Sequence, residues 1–222
     1  GNLKSVHNAI KNVSEEQHCK ILVSSSIEDL KKSTHIILPG VGAFESCLNG
    51  LIKTKALSYL EEMVLEKKKP FLGICVGMQM LATKGFENGE FAGLDWISGE
   101  VKKINNQNNN LKIPHMGWNT LKFLKETAFT KRLLKKMKVT SLNDLSAYFV
   151  HSYNFENKNA KEKVITTCYG QEITAMITKD LIRKNGEIIV YENQRKIKTL
   201  QEGIGGIREI ILQQSQNMFT RM

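Results

Sequence analysis

Apolar residues Leu3, Val6, Ile10 and Val13 recur at helical spacing and predict an amphipathic helix at the head of the chain. Two short apolar runs follow, "KILVSS" (20–25) and "THIILPG" (34–40), each closed by turn-forming residues in the manner of a buried strand. From Phe44 to Lys69 the period is helical again. "PFLGI" (70–74) then reads as a third strand that runs straight into Cys75 and a helix reaching about Ala82. Strands alternating with helices predict a parallel, doubly wound α/β sheet with helices on both faces.

From Gly99 the pieces are shorter and β-rich: "GEVKKI", "AYFVHSY", "KVITTCY" and "ITAMITKD", with "NNQNNN" as a polar surface loop. They predict a mixed or antiparallel region. Beyond Asp180 the pattern turns helical, and 192–217 read as a broken amphipathic helix pair interrupted at Gly203, Gly205 and Gly206. The expected division is an α/β domain over 1–180 and a helical tail over 181–222. A chain of 222 residues, 41% of them hydrophobic, suffices for one sizeable core.

A net charge of +10 raises the question of nucleic acid, since clustered Lys and Arg neutralise phosphates. Here the charges are scattered, and the densest runs, Lys67–Lys69 and 131–138, hold no interleaved aromatics, so solvated surface is the expectation and no nucleic-acid partner is. Cys19, Cys47, Cys75 and Cys168 lie far apart, with no pair at zinc spacing. Neither a metal nor a disulfide framework is expected. No apolar run is long enough to span a membrane and the first residues carry no leader-like block, which points to a cytoplasmic protein.

The chemistry concentrates at "GICVGMQ". A strand ending in Gly-x-Cys-x-Gly and opening a helix suits a nucleophile on a sharp turn, because Gly73 and Gly77 relieve backbone crowding on either side of Cys75. A helix start beside the sulfur favours thiolate. The bland alternative is a buried cysteine that only packs.

With "ILPGVGAF" (37–44), "IPHMGWN" (113–119) and "YFVHSY" (148–153), this elbow resembles the class I glutamine amidotransferases, nearest in its motifs to the glutaminase subunits of imidazole glycerol phosphate synthase and relatives that feed ammonia to sugar-modifying enzymes. The resemblance spans about residues 1–180. It implies a flavodoxin-like sheet, no cofactor, L-glutamine as substrate, and a heterodimer with a cyclase or synthase subunit that uses the ammonia. Cys75 becomes the nucleophile that forms a glutamyl thioester. Gly40, Val41 and Gly42 supply the oxyanion loop together with the N–H of Val76. Gln79 and the main chain of Ser152 and Tyr153 touch the glutamine, and Trp118 and Tyr148 lie on the partner-facing surface. Each has a plainer reading: "PGVG" as a strand-ending turn, Trp118 and Tyr148 as core. His151 is expected to be a structural or substrate-side residue and His115 a packing and hydrogen-bonding one, neither of them catalytic.

Two features depart from the family pattern. The His and Glu expected after a final strand are absent, since the five histidines stand at 7, 18, 35, 115 and 151. A first strand before "GNL" is also expected to be missing, and the tail has weak similarity to a helical stretch of exporter permeases. Low glutaminase activity is the resulting expectation, because loss of a triad base costs on the order of 10⁴-fold.

Overall fold

The computed structural model describes residues 3–14, 20–105, 111–126, 130–131, 134–135, 145–159, 161–181, 186–191 and 197–199. Helix α1 (Leu3–Ser14) and the short α2 (Ile27–Lys32) precede strand β1 (Ile36–Gly40). Ser26 caps α2 by accepting the Asp29 N–H, and Glu28 and Asp29 in its first turn face Lys31 and Lys32 in its last, the charge order that suits the peptide dipoles. The expected long helix breaks near Thr54–Ala56, where Lys55 takes φ 56°, giving α3 (Phe44–Lys53), α4 (Leu57–Glu61) and a π turn over Glu62–Glu66. Strand β2 (Phe71–Cys75) then leads into α5 (Val76–Gln79).

"KILVSS" is not a strand. Residues 20–26 hold no regular structure, and Leu22 and Val23 are 52% and 57% exposed. An apolar run becomes a strand only where a neighbouring edge accepts its N–H groups, and among the described residues none pairs with it. The helix after Cys75 likewise stops at Gln79 rather than near Ala82. Met80 and Leu81 instead accept the N–H groups of Leu94 and Ile97 from the following arch.

That arch carries β3 (Lys84–Gly85) and β4 (Phe91–Ala92), which join β5 (Gly99–Lys103) and β9 (Tyr153–Asn157) in the order β4-β3-β5-β9. Strand β6 (His115–Thr120), not foreseen from the polar-rich "HMGWNT", pairs antiparallel with β8 (Leu145–His151). The remaining strands are β7 (Lys122–Phe123), β10 (Lys163–Cys168), β11 (Glu172–Leu181), β12 (Gly186–Tyr191) and β13 (Ile197–Thr199). The largest sheet runs β1-β2-β12-β11-β10-β7, parallel over its first three strands and antiparallel beyond. The mixed second half therefore matches its pattern.

Within the expected helical tail, the described residues are extended. "GEIIVY" supplies β12, which takes the place beside β2, and Ile197–Thr199 pairs with β8. A free strand edge in a sheet core outcompetes local helical period, since each ladder bond saves a buried polar group. Residues 201–222, with Gly203, Gly205 and Gly206, lie outside the described residues, as do 106–110 of the polar loop. Phe44, Phe71, Met78, Leu81, Ile97 and Phe155 lie in one buried cluster between the sheets and helices α3–α5. Asn154 ties the sheets together, accepting the Thr174 N–H and donating to the Glu172 carbonyl.

Candidate active site

Strands β1 and β2 run side by side in register, Pro39 against Ile74 and Gly40 against Cys75, so the "PGVG" loop and the elbow leave the sheet together. Cys75 itself has φ 58° and ψ −122°, a backbone that non-glycine residues rarely adopt and that costs on the order of 1–3 kcal/mol. The strain falls on a partly buried cysteine between a strand and a helix, the backbone setting of a nucleophile elbow, while its side chain also touches the core cluster. Its neighbours explain the glycines. A β-carbon on Gly77 would stand 1.9 Å from the Leu38 carbonyl oxygen, and one on Gly40 would stand 2.7 Å from the Gly77 nitrogen. Elbow and loop thus meet main chain to main chain.

Gly42 has φ +105° with open space around it, and the Val41 carbonyl before it accepts the Cys47 thiol at 3.2 Å from α3. In a trans peptide the Gly42 N–H points opposite to that carbonyl, away from α3. Val76 opens α5 and is buried. With only four residues, α5 contributes a cluster of local N–H groups rather than a long macrodipole, which tempers the sequence-based expectation for the thiolate.

Glu87, absent from the sequence-based site, accepts the Phe44 N–H at 2.7 Å where the loop enters α3, whose N-cap Ala43 has no side chain able to do so. Burial raises the Cys47 thiol pKa, with the Glu87 charge adding to the shift, and Tyr153 is raised by the same two causes. Tyr153 and Cys75 pack against the same core cluster. Elbow, loop, Glu87 and Tyr153 therefore share one neighbourhood.

Residues 2–206 match the sequence model of the family "Glutamine amidotransferase class-I". The chain belongs to the class I glutamine amidotransferases. It is 39% identical over 188 residues to the imidazole glycerol phosphate synthase subunit HisH of Pelagibacter ubique, covering 82% of this chain and 84% of that protein. The HisH protein of Cereibacter sphaeroides is 40% identical over 182 residues, covering 81% and 82%. A solved glutamine amidotransferase superposes with a TM-score of 0.57 at 13% identity, over 86% of this chain and 84% of that one, which supports the fold.

Other residues singled out from this amidotransferase sequence fall into place unevenly. Gln79 is 5% exposed, one turn beyond Cys75 and facing the interior. Ser152 accepts the Ile104 N–H through its carbonyl at the join of β8 and β9. Trp118 and Tyr148 are cross-strand partners with ring centroids 5.6 Å apart and edge-on. Trp118 is 47% exposed, as is Met116 two residues before it, so Trp118 belongs to an open sheet face rather than to the core.

His115 and His151 project from the opposite face of the same pair of strands and hydrogen-bond to each other at 2.9 Å. Burial first, and then its neighbour His151, holds the His115 pKa down at about 4. Among the described residues no group of three or more His, Cys, Asp and Glu is placed to hold a metal ion, and no helix is long and apolar enough to cross a membrane. Glu87 and Cys47 could not be picked out in advance: one sits in the turn "FENGE" like any surface acid, the other at an ordinary helical position.

Proposed function

We propose that this chain is the glutaminase subunit of an imidazole glycerol phosphate synthase, releasing ammonia from L-glutamine for a cyclase partner in histidine biosynthesis. The observation that carries the reading is the strained Cys75, in register with Gly40 and packed through Gly77 against β1. In this mechanism the Cys75 sulfur attacks the side-chain amide carbon. The carbonyl electrons move to oxygen and return as the C–N bond breaks, the proton given up by the thiol ends on the departing nitrogen so that ammonia leaves, and water later cleaves the thioester to glutamate and the free thiol. Main-chain N–H groups of Val76 and the Gly40–Gly42 loop hold the transient oxyanion. Gln79, Ser152 and Tyr153 line the glutamine, and Trp118 with Tyr148 forms the surface for the cyclase, an aromatic pair of the type enriched at interfaces.

The base that should relay protons has no candidate in His115 or His151, whose ring nitrogens are committed to one another, Asn119 and Tyr153. That commitment favours a second reading, in which the chain keeps the partner surface and has little chemistry left. Mixing the chain with the Pelagibacter ubique cyclase subunit and measuring both co-elution and glutamate release tests the proposal. A heterodimer with weak release that vanishes in Cys75→Ala is expected, about 10⁴-fold below the Pelagibacter ubique HisH protein. Co-elution without Cys75-dependent release selects the second reading. No complex, with release unchanged by Cys75→Ala, overturns both.

A further inference from the structure

Two main-chain carbonyls, of Cys168 and of Tyr153, end a line of side chains that crosses the inner face of β6 and β8. Asn119 Nδ2 lies 2.8 Å from the Cys168 oxygen and 3.3 Å from His115 Nε2. His115 Nδ1 lies 2.9 Å from His151 Nε2, and His151 Nδ1 lies 2.9 Å from the Tyr153 oxygen. A carbonyl oxygen can only accept, so His151 carries a proton on Nδ1, and in the neutral ring its Nε2 accepts. His115 then carries its proton on Nδ1, and its Nε2 accepts from Asn119. The Cys168 carbonyl independently demands that Asn119 present its amide nitrogen here. Both ends dictate one direction.

We infer that His115 and His151 are positioning residues, a one-way hydrogen-bond relay that fixes the Tyr153 carbonyl, and with it the Ser152–Tyr153 main chain, relative to β6. The inference rests on the glutamine site proposed above, to which that main chain belongs. The rings are 2% and 7% exposed, and His115 is sandwiched by Phe149 at 4.9 Å and Tyr169 at 4.0 Å, so neither ring has room to turn away. An added proton on either accepting nitrogen would set two donors face to face, which agrees with the depressed titration of His115. Alternation along β6 places Trp118 on the outer face, directly beside the relay's Asn119 on the inner one.

Long-range ¹H–¹⁵N spectra of the full chain at neutral pH read the tautomers directly. Both rings are expected in the Nδ1–H form, and an Nε2–H or averaged form at His151 would overturn the relay. His115→Phe keeps the stacking and removes the bond, whereas His115→Asn keeps a donor near the Nδ1 position. His151 should lose its single tautomer in the first variant and retain it in the second.

The positioning role is read from the Cys75 peptide mass, as the rate of labelling by the glutamine-shaped chloroketone 2-amino-4-oxo-5-chloropentanoate divided by the rate with iodoacetamide. In the first reaction the sulfur–carbon bond forms as chloride leaves and the thiol proton passes to solvent. That ratio should fall about fivefold in His115→Phe and recover in His115→Asn, the effect of one hydrogen bond. An unchanged ratio overturns the role even with the tautomers as stated. A wild-type ratio no greater than that of free cysteine overturns the glutamine site itself, while the spectra still judge the relay.

Discussion

Gly77 presses so closely on the Leu38 carbonyl that a β-carbon there would lie 1.9 Å from the oxygen. The atom in the way is main chain of β1, held in register against β2, and cannot rotate aside as a side chain would, so α5 must move off β1 to admit any side chain. Gly77→Ala should destabilise the protein by about 3 kcal/mol, the upper range for overpacking, as measured by denaturant titration. Gly50→Ala, where a β-carbon meets nothing within 4 Å, is the control and should be neutral or better.

Cys75 bears strain that glycine would not feel, with φ 58° and ψ −122°. Cys75→Gly should raise stability by about 1 kcal/mol, relief of the strained backbone less the entropy glycine adds to the unfolded chain. Cys75→Ala should leave stability nearly unchanged, because alanine keeps the β-carbon and its conflict. Both variants remove the thiol at 75, and comparing their thermal midpoints separates strain from packing.

The histidine pair predicts a pH dependence. His115 titrates near 6.5 when unfolded and at about 4 when folded, so the native state prefers it neutral. The stability this contributes is complete above pH 6.5 and is lost as pH falls toward 4, because the unfolded chain takes up the proton first. A shift of that size corresponds to about 3 kcal/mol. Chemical denaturation at pH 7 and pH 4.5 should show a smaller loss in His115→Phe than in the parent chain.

Glu87 closes the start of α3 from a distant turn. Removing it in Glu87→Ala should cost about 1–2 kcal/mol, the usual value of a helix cap with a charged acceptor. The Tyr153 phenol should also titrate at lower pH, while staying above its ordinary range because burial is the larger cause. Ultraviolet titration of the tyrosinate band checks the second effect independently of stability.

Residues that share a local signature were legible in the sequence, and those joined only by the fold were not. The "GICVGMQ" turn announces its own geometry through Gly73 and Gly77, and the existence of β10 and β11 follows from their apolar, β-branched runs. "KILVSS" has the composition of a strand and finds no edge among the described residues, while "GEIIVY" sits in a helical-looking tail and finds one beside β2. His115 and His151 are 36 positions apart, and Glu87 reaches Phe44 across 43. Such meetings depend on register and topology, which periodicity does not carry.

Competition labelling at Cys75 tests whether the elbow presents this sulfur to a glutamine amide. The full chain is treated with 2-amino-4-oxo-5-chloropentanoate with and without excess L-glutamine, and the Cys75 and Cys168 peptides are followed by mass. Cys75 should label much faster than the exposed Cys168, and glutamine should protect Cys75 alone. Equal labelling of the two thiols, untouched by glutamine, would mean that the elbow holds no glutamine.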